Sequence, residues 1–319
     1  MFMKKLSIII PVYNVEQFVG RCLDSCVNQG LTFEDYEIIV VNDETPDNSM
    51  SIVKEYCLRY PHIRIVNRKN GGLSAARNTG LKEAQGKYVW FIDSDDRIEH
   101  NCLGHLITKL ETDNLDVLCF GLKLDFPDEH TIIHPVVHDG NEKIHTGRCF
   151  ICSVGVAPAA WAAIFRRDFL LDHNLTFYEG ILHEDQEFTP RAYCLADRIE
   201  YTDTPIYYYN QREGSIMKSK RNNKRCCDLL TVADSLYGFT QKHLEPNSDS
   251  YKAMMQRIYF CVTQSLAFYS SDYFPLSTYR SKPYYPMNTT FVDGSLKNKL
   301  RLANISLRLY TLLYKLLKK

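Results

Sequence analysis

The 319 residues contain no run of ~18 consecutive apolar side chains, the length a bilayer-spanning helix needs. They also lack a charge excess: 38 Lys and Arg meet 38 Asp and Glu, so the basic surplus expected of a nucleic-acid-binding domain is missing. Glycine and proline are scarce, at 15 and 12 residues, and no internal repeat or low-complexity tract occurs; collagen-like and disordered classes are excluded. The eleven cysteines include one CxxC, at Cys149 and Cys152, and an adjacent pair, Cys226 and Cys227. No second pair or nearby His cluster completes a zinc set. In a chain long enough to bury its own core, an odd, scattered set of cysteines points to free thiols in a reducing cytoplasm rather than a disulfide framework. The opening MFMKKLSIIIPVYN has too short an apolar run and no small-residue cleavage site for a signal peptide; it reads as a strand.

What is present is an alternation of strand and helix signals. Residues 6–10 form a continuous β-branched run ended by Pro11, the pattern of a strand buried on both faces. A helix is expected over 15–28, where Phe18, Cys22 and Cys26 recur at four-residue spacing. Strands follow at 36–41, 63–66 and 88–92, and helices at 49–60 and 74–84, giving a right-handed α/β unit with a mainly parallel sheet flanked by helices. Residues 115–209 read as mixed, with strands near 117–120 and 206–209 and helices near Asp168 and Asp185. Beyond Asn222 the pattern is helical, interrupted by an irregular Pro- and Tyr-rich stretch at 273–288. The expected organisation is a domain over 1–215, divided into halves at 1–100 and 101–215, and a helical C-terminal extension over 216–319.

In open α/β sheets, ligands bind outside the carboxyl ends of the strands. Four polar clusters follow four strands here: Pro11-Val12-Tyr13-Asn14, Asn42-Asp43-Glu44, Asn67 to Gly72, and Asp93-Ser94-Asp95-Asp96. Three carboxylates within four residues repel one another unless solvated or bridged by a cation. Few, hard oxygen ligands suit Mg²⁺ or Mn²⁺ shared with substrate phosphates; a solvated turn that caps the next helix is the alternative.

Four segments in order, LSIIIPVYN, VNDETPDNS, NGGLSAARNTG at Asn70 to Gly80, and FIDSDD at Phe91 to Asp96, resemble the family-two glycosyltransferases, whose nucleotide-sugar-binding fold is called glycosyltransferase A. The resemblance implies that Pro11, Val12, Tyr13, Asn14 and Asp43 hold the uracil and ribose of a nucleotide sugar. It places Asn70 in the same site and Arg77 near the base or diphosphate. Asp93 and Asp95 become the DxD pair of the family, Asp95 as direct ligand of Mn²⁺ or Mg²⁺ and Asp93 as ribose or metal-supporting partner. Glu44-Thr45 stand where the family commonly has Gly-Ser, a departure that touches the base and ribose contacts. About ninety residues on, His183-Glu184-Asp185 resembles the ED motif of the family, with Asp185, and Glu184 after it, as general base. Arg212 and Ser215 in QREGSI are candidates to close over the diphosphate, and Trp161 could stack on an acceptor sugar or fill the core. Without the resemblance, the same acids are also explained as first-turn residues of a helix.

Charge is unevenly distributed. No acidic residue follows Asp293, while seven Lys and Arg do, so the preceding chain carries an acidic excess of seven. Leu296, Leu300, Ala303, Leu307, Tyr310, Leu313 and Leu317 recur at helical spacing, so residues 296–319 read as one basic amphipathic helix. It either docks on an anionic membrane surface or packs on the protein. The expected function is an inverting, metal-dependent transfer from a nucleotide-diphosphate sugar, a UDP-sugar by family tendency, to a glycan or lipid-linked oligosaccharide. Its place would be the cytoplasmic side of the inner membrane face, peripherally bound, in bacterial surface polysaccharide synthesis. A noncatalytic nucleotide-sugar-binding scaffold and a nucleotidyltransferase are the alternatives; PVYNVEQF lacks the Gly-rich basic loop of the latter. GxGxxG is absent, which disfavours a dinucleotide oxidoreductase.

Overall fold

The computed structural model of the protein describes residues 4–126, 130–138, 144–155, 158–211 and 222–317. They fall into two compact units, one of residues 1–180 with 192–218 and one of 181–191 with 219–319. Residues 181–191, expected inside the first domain, therefore pack with the helical second unit.

The first unit begins with three strand–helix repeats: β1 (Leu6–Val12), α1 (Val19–Val27), β2 (Tyr36–Asn42), α2 (Ser49–Arg59), β3 (Ile63–Asn67) and α3 (Leu73–Glu83), then β4 (Tyr88–Phe91). It continues through β5 (Arg97–Ile98), α4 (Leu103–Thr112), β6 (Val117–Asp125), β7 (Thr131–His134), β8 (Val137–His138), β9 (Ile144–His145), α5 (Gly147–Ser153) and β10 (Val154–Gly155). β11 (Ala163–Arg166), α6 (Arg167–Asp172) and β12 (Ile199–Asn210) complete it, whereas α7 (Glu184–Leu195), between α6 and β12 in the chain, starts in the second unit. The main sheet runs β3-β2-β1-β4-β11-β6-β12-β5, with β7 added on β6 and β9 on β12. Its first four strands are parallel. The rest is mixed, because β11 lies antiparallel to both β4 and β6.

Burial of β1 on both faces explains its unbroken apolar sequence. Leu6, Ile8 and Ile10 join a core with Val19, Leu23 and Cys26 of α1 and Leu103, Leu106 and Leu110 of α4. The opposite face receives α3 closely: a Cβ at Gly80 would overlap the Ile9 side chain. Pro11 does not end β1, contrary to the sequence reading, since the strand continues to Val12 and pairs Pro11 with Val41. The reason lies in the register. Ile9 accepts from the Ile92 N–H on the β4 side, and Pro11, two residues on, points its nitrogen the same way, where β4 has already ended at Phe91. The missing N–H thus removes no ladder bond.

The second unit contains α8 (Asn222–His243), α9 (Asp249–Ala267), α10 (Ser277–Arg280), α11 (Gly294–Ile305) and α12 (Leu307–Leu317). The tail is two helices rather than one. Ser306 takes an extended conformation between them, and its hydroxyl accepts the Leu309 N–H at 3.2 Å, so a serine suited to helix starts restarts the helix. Leu300, Ala303, Leu307 and Tyr310 are buried, and the Tyr310 hydroxyl donates to the Thr263 carbonyl of α9 at 3.3 Å. Most of the apolar stripe read from the sequence is therefore core of this unit. Among the described residues no helix is long and apolar enough to cross a membrane.

His62, just before β3, is 5% exposed and stacked on Phe33 at 4.4 Å with Tyr36 against its edge. Burial, aided by the charge on Lys4, lowers its pKa to about 4. The unfolded chain, with an ordinary histidine near pH 6.5, binds a proton that the fold rejects, so the contribution of His62 to stability is constant above that pH and falls as pH drops toward 4. His62→Phe should flatten this slope by roughly 2–3 kcal/mol over the window. Urea midpoints measured from pH 7 to pH 4 check this, and an unchanged slope would remove His62 as its source.

Candidate active site

The carboxyl ends of β1, β2, β3 and β4 bring their loops to one edge of the sheet. Pro11 and Val12 are buried at the end of β1, whereas Tyr13 is 51% exposed. Asn14 adopts φ 56° and its N–H donates to Thr45 Oγ1 at 2.8 Å. Thr45 in turn donates to Asp47 at 2.7 Å. The departure at Glu44-Thr45 is now intelligible: the hydroxyl is retained as the staple between two loops, and Glu44 sits at φ 58°, a conformation glycine adopts without strain.

Asp43 is buried, and its carboxylate is the hub of the loop after β3. It accepts the N–H groups of Gly71 at 3.1 Å and Gly72 at 2.8 Å and pairs with the Arg68 guanidinium. Gly72, at φ +85°, turns its N–H into this carboxylate because a glycine can take that backbone conformation. Asn70 closes the same loop, its amide donating to the Asp43 carbonyl at 3.0 Å and its N–H to Glu44 at 3.1 Å. Both expected nucleoside contacts, Asp43 and Asn70, are thus also braces that shape the loop.

The acidic turn after β4 divides its carboxylates by environment. Asp96 is 1% exposed. It accepts the Tyr207 hydroxyl at 2.7 Å and the Asn210 N–H at 2.8 Å. Burial pushes its carboxyl well above the ordinary carboxylate range, and the charges of Asp95 and Asp93 act in the same direction. Asp93 takes the Arg77 guanidinium at 2.6 Å, while its N–H donates to the Tyr207 oxygen at 3.2 Å. Asp95 is half-buried, and its backbone carbonyl is held by the Asn210 amide at 3.1 Å. Among the described residues no group of three or more His, Cys, Asp or Glu side chains converges as a metal site. Asp93 and Asp95 offer two carboxylates, a donor set that fits Mg²⁺ or Mn²⁺ when phosphate oxygens complete it.

Arg77, placed by the resemblance near the base or diphosphate, is fully buried, with its guanidinium 5.2 Å from the Phe177 ring centre, and its charge is delivered through Asp93. Asn78 fixes that ring by a reciprocal pair with the Phe177 backbone, both bonds at 2.9 Å. Trp161 is core: it is 6% exposed and stacks on Tyr207 at 4.3 Å. No site role for Tyr207, Asn210 or Phe177 is legible in the sequence; the aromatic run IYYYN at 206–210 signals a strand and, with the residues after it, resembles bacterial members of the family.

His183, Glu184 and Asp185 belong to the second unit. His183, half-buried just before α7, takes φ 64°, and burial, followed by the Arg225 charge, lowers its pKa. Glu184 is buried and Asp185 half-buried, both in the first turn of α7, where the helix dipole favours a carboxylate. Glu187 is the structural acid of this helix, bound by Arg191 at 2.6 Å and by the Ser235 hydroxyl at 2.7 Å. Arg212 and Ser215 lie outside the described residues.

Residues 7–171 match the model of a family described as Glycosyl transferase family 2. EpsJ of Bacillus subtilis (strain 168), an uncharacterized glycosyltransferase, is 35% identical over 223 residues, 66% of this chain and 62% of its own length. YibD of Escherichia coli (strain K12), also an uncharacterized glycosyltransferase, is 32% identical over 227 residues, 69% of this chain and 65% of its own. The chain thus spans somewhat under two thirds of both. A crystal structure of Staphylococcus aureus TarS 1-349 in complex with UDP-GlcNAc shares the fold, with a TM-score of 0.69 at 21% identity over 98% of this chain and 90% of that one. TarS is named as a poly(ribitol-phosphate) beta-N-acetylglucosaminyltransferase.

Tyr207→Phe leaves the buried Asp96 carboxyl and the Asp93 N–H without their shared hydroxyl, while the ring stacking on Trp161 persists. The expected loss of stability is about 1–3 kcal/mol, read from urea unfolding; an unchanged midpoint would show that the hydroxyl does not hold the acidic turn.

Proposed function

This chain belongs to glycosyl transferase family 2, and on that premise we propose that it moves a sugar from a nucleotide-diphosphate donor to a glycan or lipid-linked oligosaccharide in bacterial surface-polymer synthesis. The observation that carries the reading is the division of labour in the acidic turn. With Asp96 withdrawn into the core, Asp93 and Asp95 are the half-buried carboxylates that the turn presents at the carboxyl edge of a parallel sheet. A UDP-sugar is the donor we favour, supported by the UDP-GlcNAc in the TarS complex of the same fold and by the role that protein's name gives it in a wall polymer.

In this reading Asp95, supported by Asp93, holds Mg²⁺ or Mn²⁺. The cation, when bound, supplies charge for the departing diphosphate. The protein residues do the rest. The loops after β1, β2 and β3 bind the nucleoside, with the exposed Tyr13 available to its base. Asp185 takes the proton of the acceptor hydroxyl as that oxygen bonds to the anomeric carbon and the bond to the diphosphate breaks, so the configuration inverts. Asp185 is favoured over Glu184 as the base because it is the less buried of the two.

Asp95→Ala should reduce metal-stimulated transfer by a factor of about 10²–10³, with the far-ultraviolet circular dichroism spectrum unchanged. Wild-type turnover in that variant would rule out Asp95 as ligand. Asp185→Asn should lower kcat by about 10²–10⁴ with little effect on donor binding, measured as nucleotide release in the presence of acceptor. Equal loss in Glu184→Gln with a normal Asp185→Asn would move the base to Glu184.

A further inference from the structure

The transfer chemistry proposed above uses no residue of the C-terminal helix pair. Although α12 buries Leu307 and Tyr310, its residues Leu309, Leu312, Leu313 and Leu316 are 37–60% exposed, and Ile305 just before it is 79% exposed. Steps of three and four residues put the leucines on one face of the helix, distinct from the stripe that packs on α9. Arg301, Arg308 and Lys315 are exposed around it, and no acidic residue follows Asp293. Beside the same helix lies a groove of about 690 Å³, lined among others by Tyr269, Leu276, Arg308, Thr311, Leu312 and Lys315. It combines two cations seven residues apart, three hydroxyls, that of Ser271 included, and an apolar wall. Asp272, the carboxylate on the neighbouring loop, accepts the Ser270 hydroxyl at 3.2 Å.

We propose that this face docks on an anionic phospholipid surface, the α12 groove taking a headgroup phosphate and the leucines entering the acyl boundary. The charge distribution selects this occupant. A second copy of the chain docked symmetrically would bring Arg301, Arg308 and Lys315 toward their own equivalents, whereas a negative lipid surface neutralises all three. Cations rimming leucines are the arrangement of helices that lie in the plane of a bilayer interface.

The test uses the full chain and needs neither donor nor acceptor. Co-sedimentation is measured with phosphatidylcholine vesicles, with and without phosphatidylglycerol. The wild-type protein should partition at least tenfold more strongly onto the anionic vesicles, and less so as salt rises. Leu312→Asp with Leu316→Asp, at exposed positions, and Arg308→Glu with Lys315→Glu should each reduce that partition tenfold or more while leaving the thermal midpoint in place. No preference of the wild-type protein for anionic vesicles would overturn the proposal. So would a dimer, measured by light scattering, that Leu312→Asp with Leu316→Asp dissociates, because the face would then belong to a second copy.

Discussion

Three carboxylates follow β4 within four residues, and electrostatics forbids leaving all three charged and bare at one sheet edge. Much of the first unit can be understood as the answer to that constraint. Asp96 is withdrawn into the core, where the Tyr207 hydroxyl and the Asn210 N–H hold a carboxyl whose charged form is disfavoured. Asp93 is compensated by a fully buried arginine. That arginine needs a place of its own, given by Phe177 and by the Asn78 side chain that locks the Phe177 backbone. The long strand β12 is therefore as much part of the site as the loop it clamps, and Trp161 supports it by stacking on Tyr207.

The parallel half of the sheet was readable because strands buried on both faces leave continuous apolar runs, as 6–10 and 36–41 do. Polar residues at their ends mark where a ligand would lie. What could not be read was direction and depth. The resemblance puts Arg77 near the base or diphosphate, but its full burial, which goes with the close packing of α3 on β1 that Gly80 permits, has no local sign in the sequence. Pro11 looks like a strand terminator, and only the shorter length of β4 shows why it is tolerated. Trp161 and Tyr207 meet across more than forty residues of sequence, a pairing no local pattern encodes.

The tail repeats the lesson. Helical periodicity from Leu296 onward was correct, but it could not reveal that Ser306 restarts the helix or which apolar stripe the unit would keep for itself. Two stripes exist in so leucine-rich a segment. The one read from the sequence supplies Leu300, Ala303, Leu307 and Tyr310 to the core, but its Leu313 lies with Leu309, Leu312 and Leu316 on the outward one.

The central claim is that the carboxyl edge of β1 to β4, with Asp95 at its acidic turn, binds a nucleoside diphosphate through a divalent cation. Isothermal titration of UDP into the full chain, with Mn²⁺ and then with chelator, tests it directly. The account predicts saturable one-to-one binding that weakens at least tenfold when the cation is removed. Absence of binding to UDP and to every other nucleoside diphosphate, with Mn²⁺ present, would contradict it.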